Sequence, residues 1–137
     1  MTMDVITIHQ PWPHAIIYLG KPVENRTWRP YERLIGNRIA IHASSTDEPM
    51  SSYLAVAEIS GGQMPLRGTL PLGQIVATAL VAGWVHTSGR ASDPSLLPYL
   101  GSKWFFGPYG WVLLQVERLE RPIRTRGYQR VWKTDLL

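Results

Sequence analysis

The stretch Gly73-Gln74-Ile75-Val76-Ala77-Thr78-Ala79-Leu80-Val81-Ala82-Gly83-Trp84-Val85 is nearly continuous apolar sequence. Periodicity alone leaves strand and helix both open for a fully buried run. Two valines and an isoleucine before Gly83 argue for a long central strand. Upstream, Ser44 to Asp47 offers several N-caps, and a helix is expected from about Glu48 to Ile59. Met50, Tyr53, Leu54 and Ala57 then form its apolar stripe, and Gly61-Gly62 ends it. Asn37 to Ala43 reads as a strand with Ile39 and Ile41 on one side and Arg38, Ala40 and His42 on the other. Pro22 to Trp28 alternates likewise, with Glu24, Arg26 and Trp28 on one face. Asp4 to His9 is a β-branched, alternating strand, followed by a short helix over Pro13 to Leu19. Ile16, Ile17 and Leu19 are its expected buried side. Downstream, His86 to Tyr99 reads as a connection. Lys103 to Phe106 and Tyr109 to Leu119 read as two strands about the turn pair Gly107-Pro108, and Arg121 to Trp132 as a basic segment, partly strand. Helices are too few for a doubly wound sheet. The expectation is one α+β domain over residues 1–137, a mixed or antiparallel β-barrel with two α-helices on its outside.

Composition narrows the function classes. The 137 residues include no cysteine, so disulfides, thiol nucleophiles and cysteine-ligated zinc are excluded. His9, His14, His42 and His86 show no H-x-x-x-H spacing, so no metal is expected, and no cofactor motif such as G-x-x-x-x-G-K-[ST] or G-x-G-x-x-G occurs. No run of about 18 apolar residues is present, so no membrane partner is expected. Met1 to Ile8 lacks the pattern of a signal peptide, and a cytoplasmic location is the default. The net charge is +4 and unevenly spread. Lys21 to Arg38 holds five basic and two acidic residues, and Arg118 to Lys133 six basic and one acidic. Ser44 to Ser60 holds three acids and no base, so a positive face is expected with the acidic segment elsewhere. Six tryptophans supply flat faces suited to stacking on a base.

Ile8-His9-Gln10-Pro11-Trp12 followed by Gly20-Lys21-Pro22-Val23-Glu24-Asn25-Arg26-Thr27-Trp28 resembles the opening of the ASCH family, Q-P-[WY], a short helix, then G-x-K-x-x-E-x-R-x-W. Arg38 to Ser44 is similar to that family's strand ending in I-H-A, and Gly107-Pro108-Tyr109-Gly110-Trp111-Val112-Leu113 to its G-P-x-[GA]-[WF]-x-[LF] strand. Gly127 to Trp132 is similar to its closing G-x-x-x-L-W. The resemblance spans about residues 4–133. It implies a PUA-like barrel, a cleft between barrel and first helix, and RNA or nucleotide as partner. Some relatives of that kind are amidohydrolases on acetylated cytidine, and some act as ribonucleases.

The chemistry of the candidates follows their residue types. Gln10 can read a base edge, Trp12 can stack, and free N–H groups at the helix start beside them suit a phosphate. Lys21, Glu24 and Arg26 form the sharpest constellation: Arg26 suits a phosphate or a base face, and Glu24 an exocyclic amine. Trp28, His42, Trp104 and Tyr109 complete the expected ligand-binding set. Arg118, Arg121, Arg124, Arg126 and Arg130 form the expected basic patch. A core tryptophan, a structural ion pair and a solvated basic face are the bland alternatives to these roles. As an enzyme the chain would use Lys21 and Glu24. The amidohydrolase resemblance implies a lysine, a threonine three positions on and a glutamate on the central strand, and here Glu24 and Leu80 stand at the latter two. A ribonuclease would use His42 with Lys21 or Arg26. A third reading is a small-molecule or protein adaptor whose cleft Trp12 and Trp28 fill.

Overall fold

The computed structural model describes residues 2–137. Six strands and two α-helices alternate as β1 (Met3–Ile8), α1 (Trp12–Tyr18), β2 (Val23–Arg26), β3 (Arg38–Ala43), α2 (Met50–Ser60), β4 (Gln74–His86), β5 (Tyr109–Arg124) and β6 (Val131–Thr134). Short 3-10 turns lie at Glu32–Leu34 and Pro94–Gly101. The fold is α+β, with one mixed sheet of order β2-β5-β4-β3-β1-β6. The β1–β3 pair is parallel and the other pairs are antiparallel.

The apolar run over residues 73–85 is the strand its β-branched content demands. As β4 it lies between β3 and β5, and Ile75, Ala77, Ala79 and Val81 are fully buried. Its register with β5 slips at three places, and its register with β3 once. Each slip bends the strand and adds twist. Gly83 marks one, where a Cβ would overlap Ser92 Oγ and crowd Leu96 Cδ1. The absence of that Cβ lets the Pro94–Gly101 turn lie against the strand.

The core has two main clusters. Ile6, Ile39, Ile41, Val81, Trp111 and Leu113 form one; Ala15, Val23, Val56, Val85, Trp104 and Val112 form the other. Trp111 is fully buried and donates its indole N–H to the Trp28 carbonyl at 2.9 Å. That pairing satisfies the polar end of a large buried ring.

Several expectations are corrected. The edge strands β2 and β6 do not pair, so the backbone ladder leaves the sheet open rather than closed as a barrel. Lys103 to Phe106 is not a strand but a turn. Asn25 holds it, donating to the Trp104 carbonyl at 3.0 Å and accepting from Phe106 N at 2.8 Å and Gly107 N at 3.0 Å. Helix α2 starts at Met50 after Pro49, without a side-chain cap. Its buried residues are Tyr53 and Val56, while Met50 and Leu54 are exposed. Strand β5 runs past Leu119 to Arg124, because it follows β4 to that strand's first residues. No helix among the described residues is long and apolar enough to cross a membrane.

Candidate functional site

Strand alternation places Glu24 and Arg26 on one face of β2, and the structure keeps them together. Both line an open hollow of about 260 Å³ with Thr7, His9, Trp12 and Asn25. The Glu24 carboxylate bridges two cations. Its Oε1 lies 3.2 Å from Lys21 Nζ, and its Oε2 lies 3.3 Å from Arg26 Nε. Arg26 also donates through Nη2 to the Thr7 carbonyl at 2.9 Å. Its Nε contact with Glu24 is one of charge, off the hydrogen-bonding direction. The buried Nε–H has no hydrogen-bond acceptor among the described residues. Such an unspent buried donor is rare in folded proteins.

Lys21 sits behind this wall. It is 2 % exposed, and its ammonium donates to the Val23 carbonyl and to Glu24. It also lies 5.5 Å from the centre of the Trp12 ring. Burial lowers its pKa, with the Glu24 carboxylate opposing that shift and the Arg26 charge adding to it. Lys21, expected in the ligand-binding set, is thus enclosed: its amine orients Glu24 rather than facing the hollow.

A second hollow, of about 200 Å³, adjoins the first and shares Thr7 and His9 with it. His42, Ser44, Gly127 and Gln129 are among its walls. His42 is 1 % exposed, and both ring nitrogens are engaged. Nε2 lies 2.8 Å from the Thr125 carbonyl, so it carries the proton. Nδ1, 3.3 Å from Thr7 Oγ1, then accepts from that hydroxyl, which itself accepts from Trp132 Nε1 at 3.0 Å. Burial lowers the His42 pKa, and the Thr125 bond partly offsets this. His42 is thus a fixed part of the wall, with no nitrogen free for the acid–base role expected of it. Gly127 abuts this arrangement: a Cβ there would lie 2.7 Å from His42 Nδ1 and 2.9 Å from Thr7 Oγ1.

The other expected residues diverge. Gln10 is buried and faces away from Trp12, accepting from His14 N at 3.1 Å and donating to the Pro71 carbonyl at 3.1 Å. It caps α1, whose His14 N–H is therefore spent, so the expected phosphate contact there is corrected. Gln10 lines a separate groove with His14, Leu119 and Arg118. Trp28 packs edge-on against Trp111 at 5.0 Å and carries the Arg130 guanidinium 4.2 Å above it. Trp104 is core, 3 % exposed. Tyr109 packs on His86 and Trp84 and does not line the hollow. Leu80 pairs with Arg38 and Leu114 within the sheet.

The expected basic patch divides. Arg118, Arg121 and Arg124 are exposed along the far part of β5. Arg126 lies 5.5 Å from the Tyr128 ring centre, and Arg130 reaches Trp28, where the two basic segments do meet. The acidic segment is not remote either, since Glu48 Oε2 lies 3.5 Å from His9 Nδ1. Sequence reasoning missed Thr7, His9, Asn25 and Ser44. The alternation of Asp4 to His9 carried the signal for Thr7 and His9, whose side chains share one face of that strand. Among the described residues no group of three or more His, Asp or Glu side chains is placed to hold a metal ion. No protein-family model matches the chain, and no curated protein matches it.

Proposed function

We propose that the chain is an ASCH-type domain of PUA-like ancestry that binds single-stranded RNA or a modified nucleotide, with one nucleobase in the hollow beside Trp12. The observation that carries this reading is the Arg26 guanidinium paired with the Glu24 carboxylate on one wall of the hollow, beside Trp12. A donor and an acceptor on one wall match the mixed edge of a nucleobase. The Trp12 ring, partly exposed in the same hollow, supplies a stacking face. Lys21, Glu24 and Arg26 together leave one net positive charge, which suits a phosphate nearby. The hollow is smaller than the roughly 300–1,000 Å³ typical of drug-sized ligands, in keeping with a single base.

A hydrolytic reading finds less support. Lys21 is enclosed behind Glu24, and both nitrogens of His42 are engaged. The test is a titration of labelled single-stranded RNA at low salt, following tryptophan fluorescence. Affinity should fall as salt rises, with a slope of about 0.7 per phosphate neutralised. Arg26→Ala should weaken binding, and an absence of binding at low salt removes the proposal.

A further inference from the structure

We propose that the ligand is a two-nucleotide unit: one base occupies the hollow of Trp12, Glu24 and Arg26, and the next nucleotide occupies the hollow of His42, Ser44 and Gln129. The connecting phosphate crosses the ridge of Thr7 and His9 between them. This rests on the reading of the first hollow as a base site and deepens it.

Two hollows of about 260 and 200 Å³ share Thr7 and His9 as a common wall. Neither alone reaches the lower end, roughly 300 Å³, of typical ligand sites, whereas the pair side by side suits an extended ligand. The ridge is held from both sides. The Thr7 carbonyl accepts from Arg26, and the Thr7 hydroxyl is tied to His42 and Trp132. A fixed ridge sets the spacing of the two units without further ordering on binding.

His9 on the ridge and Ser44 in the second hollow offer unspent hydrogen-bonding capacity. Glu48 engages His9 through Nδ1, while His9 Nε2 has no partner among the described residues. His9 is a partly exposed imidazole whose Nδ1 faces that carboxylate; with the ring proton on Nδ1, Nε2 is left as an acceptor for a ribose hydroxyl. Ser44 is 7 % exposed, and its hydroxyl accepts from Thr46 N at 3.0 Å but donates to no acceptor among the described residues. Its proton suits a ribose or base acceptor. Gly127 brings bare backbone against His42, where no larger residue fits.

The experiment compares the four ribonucleoside 5′-monophosphates with the matching 5′-phosphorylated homodinucleotides, by calorimetry, on the wild-type chain and on Ser45→Ala/Gln129→Ala. Both substituted residues are exposed in the second hollow and outside the first, so folding is spared. At least one dinucleotide should bind roughly ten-fold or more tighter than its mononucleotide, because the second contact is intramolecular. The double variant should lose most of that gain and keep the mononucleotide affinity. Equal affinity for both lengths overturns the two-unit proposal and leaves the base site standing. A dinucleotide gain that survives in the double variant places the second unit elsewhere and also overturns it. Binding of neither length removes the base site and this proposal together.

Discussion

Arg26 Nη2 donates to the Thr7 carbonyl oxygen at 2.9 Å, and this bond spans the gap that the backbone ladder leaves between β2 and β1. Edge strand β2 is four residues long and pairs only with β5, while β1 pairs with β3 and β6. The curled sheet therefore brings β2 to β1 without joining them by main-chain bonds. One guanidinium serves as the seam and also as a wall of the hollow.

That double duty separates charge from geometry. Arg26→Lys keeps the positive charge but loses the planar fork that reaches Thr7 and Glu24 together. We expect a loss of about 1.5–3 kcal/mol, the range for a hydrogen bond to a charged group, measured as a shift in urea midpoint. RNA affinity should fall as well. A variant as stable as the wild type shows that the seam is held by packing alone.

Glu24 is the counter-ion of an enclosed ammonium. Glu24→Gln leaves Lys21 charged and buried with a weaker partner, which typically costs about 3–5 kcal/mol. Lys21→Met removes the buried cation and leaves Glu24 to Arg26, so it should cost less. Lys21 already has a lowered pKa from burial. Loss of the Glu24 charge lowers it further, so the Glu24→Gln deficit should shrink as rising pH removes the Lys21 proton. Denaturation at pH 7 and in the alkaline range measures both. A pH-independent deficit rules out an unpaired Lys21 charge as its source.

How much of this was legible in sequence depends on which residues local pattern controls. The β4 run was legible because β-branched content favours a strand where periodicity is silent. Glu24 and Arg26 share a face because strand alternation has period two. The enclosure of Lys21 was not legible, because it depends on where the turn before β2 packs. Gln10 and Trp12 lie two residues apart yet line different hollows, since the chain changes direction at the start of α1. Aromatic density around Gly107 could not say which ring faces out: Trp104 is buried and Phe106 exposed. Closure of the sheet was unreadable because it turns on the lengths and slips of β2, β4 and β5.

Asn25 carries a prediction of the same kind. Its one amide serves three backbone groups of the turn that seats Trp104 in the core. Asn25→Ala strands those groups and should cost about 2–4 kcal/mol, from roughly 1–3 kcal/mol per buried group left unpaired, less what water recovers. Asn25→Asp retains the acceptor for Phe106 and Gly107 but sets a carboxylate oxygen against the Trp104 carbonyl, so it too should destabilise. Equal stability of all three chains excludes the clamp.

The engagement of both His42 nitrogens fixes a pH dependence. With Nε2–H given to Thr125 and Nδ1 accepting from Thr7, the folded chain favours the neutral ring, and burial lowers its pKa below 6.5. The unfolded chain then binds the proton more readily than the folded one. Stability from this source is fully present above the unfolded pKa, near 6.5, and is lost as pH falls through the lowered folded value. His14, also lowered by burial, contributes in the same direction. His42→Gln should be less stable at pH 7 yet lose less on acidification, leaving the shallower slope of His14 and the carboxylates. Proton NMR of the His42 ring measures its titration directly, and a midpoint at or above 6.5 would contradict the neutral ring with Nδ1 as acceptor.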